Sequence, residues 1–182
     1  MKIEIELPKL NILGLSGSPR RNHNTDRLVN LALEEAKAFA PDFVETKFIS
    51  LSDYPTLEPY KPVRPGALLR KLRGEPIDPE DPTLEPIYDA WLWADGIIIG
   101  SPVYSAQPTG LLINCLQRVG AAVGYGFTYA EGFPHHKVAG VITTGNLPRG
   151  GQELALKTIV DFLMTWDIIV VASGTYYTQP SS

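Results

Sequence analysis

A chain of 182 residues has the length of one domain, and 44% hydrophobic against 20% charged side chains provides the apolar surface for a core without disulfide or metal staples. Sixteen basic and 20 acidic residues leave a net charge of −4, so there is no positive field to hold nucleic acid. The single cysteine, Cys115, excludes an intramolecular disulfide framework, a cysteine-rich zinc site and a cluster held by thiolates of one chain.

Lys2, Glu4, Glu6 and Lys9 interrupt the N-terminal apolar residues, and no apolar run approaches the ~20 residues that cross a bilayer, so neither a signal peptide nor an integral membrane segment is expected. A reducing cytoplasm fits this composition. Residues 11–16 (NILGLS) form an apolar run closed by Gly17, Ser18 and Pro19, which predicts a buried strand entering a turn. From Thr25 onward, Leu28, Val29, Leu31, Ala32, Ala36 and Phe39 recur at near-helical spacing and predict a helix ending by Pro41, with Asp26 where a helix N-terminus favours negative charge. A second strand follows at 43–51.

Residues 53–86 then break the periodicity, apart from a short stretch at 67–72, and hold eight of the chain's 16 prolines. They read as an insertion in a single domain spanning 1–182, ordered by its prolines and packed on a neighbouring subunit or across the mouth of the site. Beyond it come a helix at 87–94, a strand at 96–100 (GIIIG), a helix at 111–119, a strand at 137–144, a helix at 152–165 and a strand at 168–172. Strands this apolar on both faces need helices on each side, which means a parallel sheet with right-handed crossovers in a three-layer α/β/α sandwich. A doubly wound domain normally adds a last helix after its fifth strand, so that helix is expected to be missing or supplied otherwise near Ser182.

In an open parallel sheet, ligands bind beyond the carboxyl ends of the strands, and three conspicuous loops occupy those ends: 16–25 (SGSPRRNHNT), 101–108 (SPVYSAQP) and 143–151 (TTGNLPRGG). The first has the chemistry of a phosphate cradle. Gly17 permits close backbone approach, Ser16, Ser18, Asn24 and Thr25 offer donors beside a helix N-terminus, and Arg20 adds a charge-assisted contact. Asn24 or Thr25 serves equally well as a simple helix cap. The loop lacks the lysine of GxxxxGK[ST] and the pattern GxGxxG, which disfavours triphosphate chemistry and dinucleotide binding of the Rossmann type.

SGSPR with Asn24 and Thr25, then SPVY, then GGQE together resemble the NADPH-dependent FMN reductase and iron–sulfur flavoprotein family, over most of residues 10–172. The resemblance implies a flavodoxin-like fold, a five-stranded parallel sheet of order 2-1-3-4-5, with FMN as cofactor. It implies that Ser16, Ser18, Pro19, Arg20, Asn24 and Thr25 hold the FMN phosphate. Pro102, Val103, Tyr104 and Ser105 would border the isoalloxazine ring, and Thr144, Gly145, Asn146 and Gly151 its other edge. It further implies NAD(P)H as hydride donor, a quinone, free flavin, metal complex or protein as electron acceptor, and a homodimer or homotetramer. The flavin carries the chemistry, so no catalytic acid or base is expected from the chain. The alternatives are a non-enzymatic FMN electron carrier and an interaction module that has lost its flavin.

Three departures qualify the resemblance. Residues 53–86 lack the cysteine motif that cluster-binding relatives carry, so no iron–sulfur cluster is expected. His23 stands where relatives have a small residue, and Ile113 and Gln117 stand where a lysine and an aspartate are common. Cys115, among Leu111, Leu112, Leu116 and Val119, reads as a buried inert thiol, and His135–His136 as a surface turn. The basic stretch 68–73 (LLRKLR) reads as a solvated face, with the extra phosphate of NADPH as its functional alternative. Trp91, Trp93 and Trp166 fit helix-to-sheet packing.

Overall fold

A computed structural model of the chain describes residues 8–54, 73–75, 84–123 and 137–171. In chain order they form β1 (Leu10–Ser16), α1 (Asn24–Phe39), β2 (Val44–Ser50), a 3-10 turn (Leu51–Asp53), α2 (Glu85–Trp93), β3 (Gly96–Pro102), α3 (Gly110–Val123), β4 (Val138–Thr144), α4 (Gln152–Met164) and β5 (Ile169–Val170). The five strands pair in parallel in the order β2-β1-β3-β4-β5. This is the flavodoxin-like order that the resemblance implies.

Because every strand runs the same way, the carboxyl ends meet at one edge: Ser16 pairs with Ser50 and with Gly100, and Pro102 pairs with Thr144. Side chains alternate across the sheet. Leu13, Leu15, Ile97 and Ile99 are buried against Ile87, Trp91, Leu112, Cys115 and Leu116 of α2 and α3. On the opposite face, Gly14 and Gly100 point toward α1. A Cβ on Gly100 would lie 2.4 Å from Val29 Cγ2, and one on Gly14 would lie 2.6 Å from Leu33 Cδ1. The missing side chains let α1 lie close on β1 and β3, which carries its first turn to the strand ends.

The aromatic residues divide their work. Trp91 is in the core, as expected, and Trp93 is partly buried with the Lys47 ammonium 4.3 Å from its ring. Trp166, just past the end of α4, packs against the core cluster: its ring is edge-on to Phe162 at 4.0 Å and to Trp91 at 6.4 Å, and it fills the place that a Cβ on Gly120 of α3 would take.

Several ends differ from the periodicity. β3 runs to Pro102, since its pairing with β4 continues past Gly100, and α3 runs on to Val123. α2 begins at Glu85 because Pro86 suits the first turn of a helix. β5 is limited to two residues by its pairing with β4. Of the insertion, Tyr54 packs on the core and Leu84 is fully buried. Residues 73–75 are exposed, and residues 55–72 and 76–83, where the rest of the arm is expected, lie outside the described residues, as do His135, His136 and the region expected to hold a last helix. Among the described residues, no helix is long and apolar enough to cross a membrane.

Candidate functional site

The loop after β1 continues the sheet for one residue, with the Gly17 amide donating to the Gly100 carbonyl at 2.7 Å. A Cβ on Gly17 would meet Leu112 Cβ at 2.6 Å. Gly17 is therefore small because α3 packs on it, and its amide serves the sheet, which corrects its expected place in an anion cradle. Ser18 makes a tight turn with Arg20, its hydroxyl accepting the Arg20 amide at 3.1 Å and donating to the Arg20 carbonyl at 2.8 Å. That hydroxyl shapes the loop.

Asn22 takes a left-handed φ of 59°, and its amide donates to Asp26 Oδ2 at 2.7 Å. His23 is the N-cap of α1, with extended backbone and no side-chain bond to the helix. Neither Asn24 nor Thr25 caps it. The Thr25 hydroxyl instead lies 3.0 Å from that of Thr144, which joins the first loop to the third. Arg27 donates to the His23 carbonyl at 3.0 Å, so the amides of Asn24, Thr25 and Asp26 precede the first hydrogen bond of α1 and have no helix carbonyl to meet.

In the loop after β3, the Val103 amide donates to the Thr144 carbonyl at 2.8 Å, and Tyr104 and Gln107 exchange two amide–carbonyl bonds of 3.0 Å. Between them Ser105 and Ala106 have φ of 50° and 63°. Two successive left-handed residues make the type I′ tip of a tight hairpin. Its back rests on Gly151, which has a φ of 93° and whose Cβ, if present, would lie 2.5 Å from Ala106 Cα. Thr109 caps α3 by accepting the Leu112 amide at 3.1 Å, and donates to the Gly17 carbonyl at 2.6 Å. The loop after β4 is held from within by Gln152, whose side-chain amide donates to the Leu147 carbonyl at 2.7 Å and fills the space beside Gly145.

A cavity of about 420 Å³ lies among the three loops. The first loop contributes Ser18, Arg20, His23, Asn24 and Thr25, the second Pro102, Val103 and Tyr104, and the third Thr144, Gly145 and Asn146. The remaining sequence-predicted residues stand around this lining. Ser16 is fully buried behind it and bonded to Asp26, Pro19 is exposed between Ser18 and Arg20, Ser105 is at the hairpin tip and Gly151 supports that tip. His23 is the lining residue that the sequence reading treated only as a departure. Asp26, Thr109 and Gln152 shape the loops, and of these only Thr109, a threonine just ahead of a helical pattern, carried a capping signal in the sequence.

Residues 10–181 match the family described as NADPH-dependent FMN reductase. The chain belongs to that family. Two iron–sulfur flavoproteins of Methanocaldococcus jannaschii are 31% and 34% identical to it over 174 and 169 residues, covering 92% and 91% of this chain and 77% of each relative. An NADH:FMN oxidoreductase solved in its apo form is 30% identical, with a TM-score of 0.60 over 91% of this chain and 74% of that one. A flavodoxin, WrbA-like protein from Agrobacterium tumefaciens has a TM-score of 0.57 over 92% of this chain and 80% of its own, and at 16% identity it shares the fold alone.

Membership of the FMN reductase family places the chain among FMN-dependent oxidoreductases, and the cavity suits such a cofactor. Its volume lies in the ~300–1,000 Å³ range of small-molecule sites. Its lining joins a guanidinium, an imidazole and the first turn of α1 to the apolar Pro102 and Val103 and the ring of Tyr104, a donor set matched to a molecule with an anionic end and a planar aromatic end. A cluster held by thiolates of this chain would need several, whereas the sequence has one. That cysteine, Cys115, is fully buried in α3, and burial pushes its thiol up to about 12, which keeps it protonated and inert. Gln117 is exposed on α3 and Ile113 partly so.

Proposed function

We propose that the cavity holds FMN, its phosphate against the loop of residues 16–25 and its ring between the Tyr104 hairpin and residues 144–146, in one domain that oxidises NAD(P)H and reduces a small-molecule or protein acceptor. A homodimer or homotetramer in the cytoplasm belongs to the same proposal. The observation that carries it is the convergence of three loops from three strand ends on one cavity, each with the residue types its part of the cofactor requires.

Bound there, FMN supplies the electron-accepting and electron-donating chemistry that links a nicotinamide to an acceptor. The residues of the chain bind and orient. Arg20 offers a charge-assisted hydrogen bond, worth about 1.5–3 kcal/mol to an anion. The amides of Asn24 and Thr25 add donors at the positive end of the helix dipole. The bond between Thr25 and Thr144 fixes the distance between the phosphate loop and the loop after β4. Tyr104, 44% exposed, presents its ring at the edge of the cavity, where it can lie against a planar heterocycle and exclude water from one side.

Anaerobic mixing of the FMN-loaded protein with NADPH and with NADH tests the reading. Bleaching of the flavin band by either nucleotide, with repeated turnover when a quinone is added, is the expected result. If dithionite bleaches the band and neither nucleotide does, the chain is an electron carrier and the reductase reading is wrong.

A further inference from the structure

Asp26 is 2% exposed and lies in the first turn of α1, beside the cavity and outside its lining. Its Oδ1 accepts the Ser16 hydroxyl at 2.5 Å and its Oδ2 accepts the Asn22 amide at 2.7 Å. The Ser50 hydroxyl lies 3.4 and 3.3 Å from the two oxygens. Ser52 stands 2.8 Å from Ser50. Ser50 has one proton, directed at the carboxylate, so Ser52 donates the proton of that last contact.

These partners come from different elements. Ser16 closes β1, Ser50 closes β2, and Asn22 is the left-handed residue of the loop. One carboxylate therefore joins two strand ends to the turn that leads into α1. A group that only accepts is what three converging donors require, and the helix N-terminus favours its charge. Pointing inward, the carboxylate meets its donors and keeps its charge from facing an anion in the cavity.

We propose that Asp26 is a positioning residue for the phosphate end of the cavity, holding Asn22 left-handed so that Arg20, His23 and the first amides of α1 face the anion; this rests on the reading of the cavity as an FMN site. Such a residue acts on the phosphate and not on the ring, which is bordered by loops that Asp26 does not touch. FMN and riboflavin, which differ by that phosphate, separate the two effects.

The experiment is a titration of flavin-stripped parent and Asp26→Asn protein with FMN and with riboflavin, followed by the quenching of flavin fluorescence, with near-ultraviolet circular dichroism as the check of fold. Asn keeps the shape but turns an NH₂ toward at least one of the donors. The expected result is an FMN dissociation constant raised tenfold or more, with riboflavin changed less than twofold. If Asp26→Asn does not fold, Ser16→Ala carries the test, since it removes one donor and keeps the carboxylate; a threefold or greater loss confined to FMN supports the inference. Equal losses for both ligands, or no loss, would overturn it while the FMN reading stands. A parent that binds FMN no better than riboflavin would instead overturn the FMN reading, and the role of Asp26 with it.

Discussion

Asn22, Ser105, Ala106 and Arg149 have φ between 50° and 63°, and each lies in one of the three loops around the cavity. Left-handed backbone costs a non-glycine residue roughly 1–3 kcal/mol and persists where the surroundings hold it in place. Here those surroundings are visible: Asp26 holds Asn22, and Gly151 seats the Ser105–Ala106 tip. Ser-Ala carries no type I′ signal, which ordinarily comes from Asn-Gly or Gly-Gly, so the hairpin was invisible in the sequence even though its loop was not. SGSPR, SPVY and GGQE revealed the loops because glycine, proline and serine punctuate strand ends. The Asp26 network joins residues from three elements and left no local signal. Gly151→Ala should lower the unfolding free energy by ~1–3 kcal/mol from backbone strain alone, and should also move the hairpin, since the new Cβ meets the backbone of Ala106. Urea unfolding together with the spectrum of bound FMN reads both effects. Unchanged stability with an unchanged spectrum would mean that the tip does not rest on Gly151.

Among the elements, the strands were legible because short, nearly continuous apolar runs closed by turn residues leave few alternatives, while their ends depended on pairing. β3 reaches Pro102 only because β4 runs beside it as far as Thr144. The packing of Trp166 over Gly120 likewise joins residues far apart in the chain and has no periodicity of its own. At the other end of the sheet from the cavity, Lys137 enters β4 with 5% exposure, its ammonium bonded to the Ala94 carbonyl. Burial lowers its pKa to about 8, partly offset by Asp95. In the unfolded chain a lysine titrates near ~10.4. Below pH 8 both states carry the proton, and the contribution of Lys137 does not change with pH. Between about 8 and 10.4 the unfolded state binds more protons, so stability gains from this group as pH rises, by at most ~3 kcal/mol. Cys115 acts in the opposite sense, because its thiol is raised in the folded state and stability is lost as the unfolded thiol ionises above ~8.5. The informative quantity is therefore the difference between parent and Lys137→Met, both of which keep Cys115. Urea midpoints at several pH values from 7.5 to 10 should show the parent gaining on the variant as pH rises. A constant difference would mean that the buried ammonium is not under strain.

For the molecule as a whole, parallel strands bring every βα loop to one edge, and the order 2-1-3-4-5 places the loops after β1, β3 and β4 side by side. The site is thus a consequence of topology: α1 approaches over Gly14 and Gly100, its first turn reaches the strand ends, and the hairpin and the Gln152-held loop close the remaining sides. The meeting of three loops at the strand ends followed from apolar periodicity and loop composition, whereas the role of the proline-rich insertion did not, since proline fixes a path without naming what it packs against. The Arg21–Asp53 ion pair joins the first loop to the beginning of that insertion. The most direct measurement is the visible absorption spectrum of the purified protein after incubation with FMN and removal of free flavin by gel filtration. A flavin band in the blue that travels with the protein at one FMN per chain is the expected result; a protein that emerges with no flavin band would contradict the assignment of this three-loop cavity to FMN.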